Sequence, residues 1–421
     1  MSGIVVQKFG GSSLADADRV RHVAGRVAAE HEKGTRLVVV VSAMGDTTDD
    51  LLALAAAITD DPDPRELDLL LATGEHISGT LLAMALHARG LAAISLTGAQ
   101  AGIRTDPRHG RARIANVEPS RVRQELERGR VVIVAGFQGA TDESVFEAET
   151  TTLGRGGSDT TAVALAARLQ AERCEIFTDV EGIYTADPRV VPTARLLATI
   201  GYEEMLELAG QGAQVMQARA VELGWVNGVE ICVRSTFSNN PGTLIREEPV
   251  MEATNKVRGV ATDRNTAKVT ILGVPDRPGV ATRIFTPLAG EGVNVDVVVQ
   301  NVSHAGTTDV SFTISATDLA KARRVLEPVV IELGAEGLSS DAEVAKVSIV
   351  GAGIRSTPGY AARMFGALAD HGINIEMISM SDIRITCIIA EPQLEQAARA
   401  LHSAFELEQP EPGAEAAAEA G

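Results

Sequence analysis

Short runs of apolar residues alternate with longer amphipathic stretches through the first half of the chain. The runs Ile4–Gln7, Leu37–Ser42, Ala92–Leu96, Val131–Ala135, Cys174–Thr178 and Val229–Arg234 read as buried strands. Between them, apolar positions at helical spacing predict helices over Ala17–Glu32, Thr48–Ile58, Glu66–Arg89, Pro119–Gly129, Thr160–Glu172 and Tyr202–Leu223. Strand–helix alternation on this scale predicts an α/β domain, three layers deep, around a mainly parallel sheet. Such sheets bind ligands outside the carboxyl ends of their strands.

The pattern changes after about residue 246. Ala267-Lys268-Val269-Thr270-Ile271-Leu272-Gly273 is echoed by Ala345-Lys346-Val347-Ser348-Ile349-Val350-Gly351. Each copy continues with Pro-Gly (Pro278-Gly279; Pro358-Gly359), an amphipathic helix and a second strand opening Gly292-Val293-Asn294 or Gly372-Ile373-Asn374. The spacing from Pro-Gly to Gly-x-Asn is equal in both, which marks an internal repeat. The predicted order, strand–helix–strand–strand–helix–strand, is ferredoxin-like. These units resemble ACT domains, which bind amino acids at helix N-termini and subunit interfaces. The expected organisation is a catalytic domain at 1–246, a linker at 247–265, repeat units at 266–340 and 341–407, and a disordered tail at 408–421.

Composition narrows the choice of partner. A formal charge of −18 and 3% aromatic residues argue against nucleic acid and anionic membrane surfaces. No uninterrupted apolar stretch reaches the ~20 residues of a membrane span, and the first residues lack a signal-peptide pattern. Cys174, Cys232 and Cys387 are scattered, which suits a reducing cytoplasm and offers no zinc spacing. The histidines show no metal-ligand pattern either, so no resident protein-bound metal is expected.

Two glycine-rich segments carry the chemistry. Lys8-Phe9-Gly10-Gly11-Ser12-Ser13 follows the first strand, and Leu153-Gly154-Arg155-Gly156-Gly157-Ser158-Asp159-Thr160-Thr161 opens a helix. Glycines let backbone approach a phosphate closely, and a helix N-terminus favours an anion. Lys8 can neutralise charge on a phosphoryl group in transfer. The spacing is not that of a Walker A loop. Arg155 offers a rigid fork for carboxylate or phosphate. Asp159 fits three roles: orienting the reacting groups, helping to hold Mg²⁺, or capping the helix. The loop from Thr178 to Arg189, with Asp179 and Tyr184, offers groups for adenine, ribose and phosphate; an ordinary solvated connection is the plainer reading. Ser42, Thr48 and Glu75 could bind an α-amino acid, with Glu75 taking its ammonium group; singly, each is more often a cap or surface residue.

Together these residues resemble the aspartate kinase family of the amino-acid kinase superfamily, in its form with two C-terminal ACT domains and with an actinobacterial cast to the composition. The resemblance covers Lys8 to about Leu407 and includes Ser-Ala-Met-Gly-Asp-Thr-Thr from Ser42, Gly-Phe-Gln-Gly from Gly136 and Tyr-Thr-Ala-Asp-Pro-Arg from Tyr184. It implies ATP- and Mg²⁺-dependent phosphorylation of the β-carboxylate of L-aspartate, the first step towards lysine, threonine, methionine and diaminopimelate. By the same carry-over, Lys8 and Asp159 are catalytic, and Ser42, Thr48, Glu75, Arg155 and Ser158 hold aspartate. Lys8, Phe9, Gly10, Gly11, Thr178, Asp179, Tyr184 and Arg189 hold the nucleotide. Lysine, threonine or both would act as effectors near Asp276–Gly279, Asn294–Asp296, Gln300 and Ser379–Ser381. The assembly implied is a homodimer, or an α2β2 complex whose smaller subunit starts internally at Met251.

One departure stands out. Where the family reads Ser-Thr-Ser-Glu-Ile-Arg-Ile, this chain reads Ser379-Met380-Ser381-Asp382-Ile383-Arg384-Ile385. Losing a hydroxyl and gaining bulk at Met380 predicts weakened feedback inhibition, by about 1–3 kcal/mol of effector binding. Residues Glu147-Ala148-Glu149 also lengthen the loop before the second glycine-rich segment. Two other readings are another amino-acid kinase, such as one acting on acetylglutamate, and a catalytically silent ACT sensor. The ACT pair and the Arg155–Asp159 segment count against the first, and retention of Lys8, Arg155 and Asp159 against the second.

Overall fold

The computed structural model describes residues 3–141, 147–211, 215–247, 256–301, 306–355 and 357–409. They fall into two compact units, one within Met1–Ile183, Leu196–Ala209 and Gln214–Met251, the other within Tyr184–Arg195, Gly210–Ala213 and Glu252–Gly421. Met251 and the tail from residue 410 lie outside the described residues.

In the first unit, apolar strands stack side by side into an eight-stranded sheet. Its order is Thr199–Ile200, Thr243–Ile245, Ile231–Ser235, Arg173–Thr178, Ile4–Phe9, Arg36–Val41, Val131–Ala135, Ala93–Leu96. Every pairing is parallel except that between Ile231–Ser235 and Thr243–Ile245. Strand Ile4–Phe9 is central, with Lys8 opposite Val40 on one side and Ile176 on the other. Val5, Leu37, Val39, Val131 and Ile133 meet Val20, Val23 and Val27 of helix Ala17–Glu32 in a core closed to water.

Of two long predicted helices, one runs on through the single turn residue Ala72, whose φ of −59° and ψ of −19° are still helical, and the other is broken. The stretch predicted over 66–89 is Pro64–Leu71 followed by Thr73–His87. The side chain of Gln138 takes the Ala72 carbonyl there, at 2.9 Å. The stretch predicted over 202–223 is Tyr202–Gly210 and then Ala218–Asn227. By length and composition alone, Pro64–His87 could cross a bilayer, but half of its apolar window is buried in the fold. Asp68 and Glu75 lie on its buried side, which marks a core segment rather than a span. A small second sheet, Ile114–Val117, Ile103–Thr105, Gln138–Thr141 and Thr150–Thr152, escapes the hydrophobic pattern because its strands are short and threonine-rich.

The two repeats of the second unit share one six-stranded sheet, ordered Val295–Gln300, Thr307–Ile314, Gly259–Pro275, Gly337–Val350, Arg384–Ala390, Met377–Met380. Residues 259–265, expected as linker, are the first part of the long strand Gly259–Pro275. Gly259 to Asp263 pair with Val350 to Lys346, supplying repeat two with a strand from before repeat one. The repeats bury the same positions: residues 291–300 and 371–380 have one identical pattern of exposure, so Gln300 and Met380 are equivalent. They also clasp each other. Lys268 reaches Glu376 at 2.8 Å, and Lys346 reaches Asp296 at 2.8 Å.

Candidate active site

The carboxyl ends of the central strands gather the first cluster. Strand Ile4–Phe9 runs into Gly10-Gly11, Arg36–Val41 into Ser42, and Arg173–Thr178 into Asp179. Gly11 must be glycine, because a Cβ there would lie 2.8 Å from the Ala43 carbonyl oxygen. The Gly45 N–H donates to Gly11 O at 3.0 Å, so the loops after the first two strands are stitched together.

The second glycine-rich segment meets the first through charge. Lys8 Nζ lies 2.7 Å from Asp159 Oδ1, with only 12% and 8% of the two side chains exposed. Helix Gly157–Leu169 starts after Gly156, whose φ of 73° is left-handed and whose Cβ would strike Gln217 at 2.7 Å. Its N-cap residue, being glycine, supplies no side-chain cap. The Asp159 carboxylate, in the first turn, turns to Lys8. Ser158 is buried against Gly136, where a Cβ would come within 2.8 Å of its hydroxyl. Arg155 is largely exposed and pairs with Asp49 at 3.1 Å, a weak surface partner.

Glu75, in the first turn of helix Thr73–His87, is 3% exposed. The Ala43 N–H donates to its Oε1 at 3.1 Å, while its Oε2 is buried with no hydrogen-bond partner among the described residues. Burial pushes its carboxyl up to about 7, against the smaller opposing effect of the Ala43 bond. An orphaned, desolvated carboxylate oxygen invites a cation. Ser42 and Thr48 are half-buried; the Ser42 N–H is bonded to Phe9 O.

The remaining nucleotide candidates divide. Thr178 is half-buried, its hydroxyl 3.1 Å from the exposed Asp179 carboxylate. Phe9 is wholly buried and stacked on Phe177 at 4.7 Å. Its ring is a core element, which corrects any role for that side chain in touching nucleotide. Tyr184 and Arg189 lie on a segment belonging to the second unit. That segment is anchored there by Ala186 and Val191 in the core of repeat two, and by a 2.9 Å hydrogen bond between Thr185 and His402. Arg189 pairs with Asp187 at 2.7 Å.

In the second unit, Asp276 and Gly279 are exposed ahead of helix Val280–Gly290, Gly279 being its left-handed N-cap with φ 93°. Asn294, Asp296 and Gln300 are exposed in and beside the edge strand Val295–Gln300. Ser379 and Met380 end the opposite edge strand, Met380 being 49% exposed, and the Ser381 N–H turns back to Arg384 O. Asp296 is already engaged by Lys346, a partner that sequence alone did not reveal.

Sequence reasoning missed Asp68, buried in helix Pro64–Leu71 among leucines, where nothing but an acidic residue on an apolar face signals it. The lengthened loop contributes to its neighbourhood. Glu149 reaches His109 at 3.3 Å and Arg65 at 3.0 Å. Among the described residues no cluster of three or more His, Cys, Asp or Glu could cage a metal ion.

Comparison with known proteins places this arrangement. Residues 3–235 match the amino acid kinase family, and residues 269–328 and 347–405 match the ACT domain. The aspartokinase of Corynebacterium glutamicum is 51% identical over 410 residues, 96% of each chain. The aspartate kinase of Pseudomonas putida is 49% identical over 409 residues, 97% of this chain and 98% of that one. Among solved structures, E. coli aspartokinase III with aspartate and ADP superimposes with a TM-score of 0.80 at 27% identity, covering 95% of this chain and 99% of that chain. The same E. coli enzyme with lysine and aspartate gives 0.72 at 27% identity, over 96% and 99% of the two chains. With a catalytic unit, two ACT repeats and half of all residues shared across nearly the whole length, this chain belongs to the aspartokinase family.

Proposed function

We propose that this protein transfers the γ-phosphoryl group of ATP to the β-carboxylate of L-aspartate, giving 4-phospho-L-aspartate and ADP. The observation that carries this reading is the Lys8–Asp159 pair, 2.7 Å apart and almost closed to water, at the carboxyl end of the sheet. A carboxylate is already a nucleophile, so no general base is required. The demands are alignment and neutralisation of charge. Lys8, held by Asp159, is aimed to stabilise negative charge on the phosphoryl group as the bond to the β-phosphate oxygen breaks. Buried Glu75 takes the substrate ammonium, Arg155 and Ser158 hold its carboxylates, and Ser42 and Thr48 flank it. The backbone of Gly10 and Gly11, with Thr178 and Asp179, faces the nucleotide.

Mg²⁺ suits this donor set as a partner of the nucleotide. It draws its oxygen ligands mainly from phosphate and water, and a single exposed carboxylate such as Asp179 matches that habit better than a protein cage would. When bound, it supplies charge neutralisation along the phosphates.

Lysine, threonine or both are the proposed effectors, acting at the exposed edges of the ACT sheet. Unpaired edge strands of this kind usually find a partner, which favours a homodimer or an α2β2 assembly. The exposed Met380 in the place of a small hydroxyl supports weakened inhibition. All three cysteines are free thiols, consistent with a reducing cytoplasm. The deciding measurement is ADP release with aspartate, with acetylglutamate and with no acceptor, repeated with lysine and threonine. Turnover with aspartate alone supports the reading. Equal or greater turnover with acetylglutamate overturns it.

A further inference from the structure

Asp68 is 1% exposed and lies outside the residues assigned to either substrate. Its carboxylate receives four donors from two other segments of the chain. The Gly110 N–H lies 3.0 Å from both oxygens, the Thr152 N–H lies 3.0 Å from Oδ2, the Thr152 hydroxyl donates to Oδ1, and His109 Nδ1 stands 3.0 Å from Oδ2. A carboxylate withdrawn from water is tolerated only when its lone pairs are filled in this way. Such a group fixes the positions of everything that bonds to it.

What it fixes are the roots of two segments that carry the proposed aspartate ligands. Thr152 ends the strand Thr150–Thr152, and the chain proceeds directly through Leu153 and Gly154 to Arg155 and Ser158. Leu153 is itself pinned, its N–H to Phe137 O at 2.8 Å and its carbonyl to Arg219 at 2.9 Å. Gly110 stands against the next residue, since a Cβ on Gly154 would lie 3.3 Å from its carbonyl oxygen. In the other direction, the Asp68 carbonyl accepts the Ala72 N–H where the two helices join, one residue before the turn that bears Glu75.

We infer that Asp68 is a positioning residue for aspartate, setting the second glycine-rich segment against the Glu75 turn without touching substrate. This rests on the reading that Arg155, Ser158 and Glu75 hold aspartate. Arg155 and Ser158 follow the Asp68-bound Thr152 directly, whereas Asp159 beyond them is held by Lys8, so the loss of Asp68 falls first on aspartate. Asp68→Asn keeps the size but turns one acceptor into a donor facing N–H groups. A displacement well under an ångström at Arg155 is costly in a site that works by alignment.

The test is steady-state kinetics of the full-length protein with aspartate and ATP varied separately. Arg155→Ala serves as the reference, and thermal unfolding is followed in parallel. Asp68→Asn is expected to raise KM for aspartate roughly tenfold while KM for ATP stays within about twofold. Thr152→Val, which removes only the hydroxyl bond, is expected to raise KM for aspartate about threefold, and it carries the test if Asp68→Asn does not fold. An equal rise in both KM values, or no rise for aspartate in a folded variant, overturns the inference. If Arg155→Ala itself leaves KM for aspartate unchanged, the underlying assignment of aspartate ligands has failed instead.

Discussion

The two units set out their candidate ligand-binding residues in opposite ways. In the kinase unit, Lys8, Asp159, Glu75 and Asp68 are almost withdrawn from water, and each carries at least one bond that fixes its direction. In the ACT unit, Asp276, Asn294, Gln300 and Met380 lie exposed on a loop and on the two edge strands of the shared sheet. Buried, prepaired charge is how a site holds a geometry before substrate arrives. Exposed edges leave backbone and side chains open to whatever docks on them. The first arrangement suits chemistry and the second suits a response. Changes in one should therefore damage turnover, and changes in the other should alter its control.

The largest expected break in that contrast is Lys8→Ala. It should lower kcat by about 10²–10³ by removing a preorganised cation from the phosphoryl group. ADP release and far-UV circular dichroism together check it. Near-normal kcat in a folded variant would sink the catalytic assignment.

Glu75 gives a pH signature to the kinase unit alone. Burial raises its carboxyl from 4.5 to about 7. The folded state therefore holds this proton more tightly than the unfolded chain. The associated stability is fully present below about 4.5 and is lost as pH rises to about 7, on the order of 3 kcal/mol. An ammonium group prefers the ionised form, so KM for aspartate should fall about tenfold between pH 6 and pH 8. Glu75→Gln should flatten both slopes; a KM profile that stays steep in that variant would place the titrating group elsewhere.

Within the ACT unit, the two reciprocal lysines sharpen the comparison further. Lys346 is 10% exposed and faces both Asp296 and Asp263, whereas Lys268 and Glu376 are 26% and 25% exposed. Lys346→Met should cost about 1–3 kcal/mol, below the loss for a fully buried pair because Asp296 keeps 34% of its surface in water. Lys268→Met should cost less than about 1 kcal/mol. Chemical denaturation of both variants measures this, and equal losses would remove the asymmetry between repeats.

A similarly small effect is expected at Met380. Met380→Thr should lower the concentration of lysine plus threonine needed for half-inhibition about fivefold, one hydrogen bond's worth, with kcat unchanged. If the unmodified protein is already inhibited at low effector concentration and the variant does not differ, Met380 has no part in control.

Much of this was legible along the chain. Hydrophobic period gave the core strands and helix Ala17–Glu32, because buried strands and amphipathic helices leave local patterns that tertiary context rarely overrides. The repeat in the second half and the two glycine-rich segments were equally local, since turns and close backbone approaches demand particular residues wherever they occur. What stayed hidden depended on residues far apart in sequence. The strand at 259–263 completes repeat two only because it pairs with residues 346–350. Phe9 looked like part of a nucleotide loop until Phe177 was seen stacked upon it. The stretch predicted as one helix over 202–223 divides into Tyr202–Gly210 and Ala218–Asn227, which no local pattern marked.

The sequence by itself therefore determined which residue types stand at the strand ends, and with them the family chemistry. Only the tertiary structure decided how those residues are employed. It paired Asp159 with Lys8, left one Glu75 oxygen buried without a partner, and bound Asp68 to donors more than forty residues away along the chain. The reason is physical: residue type is a local property, whereas burial and pairing belong to the surroundings that the rest of the chain provides.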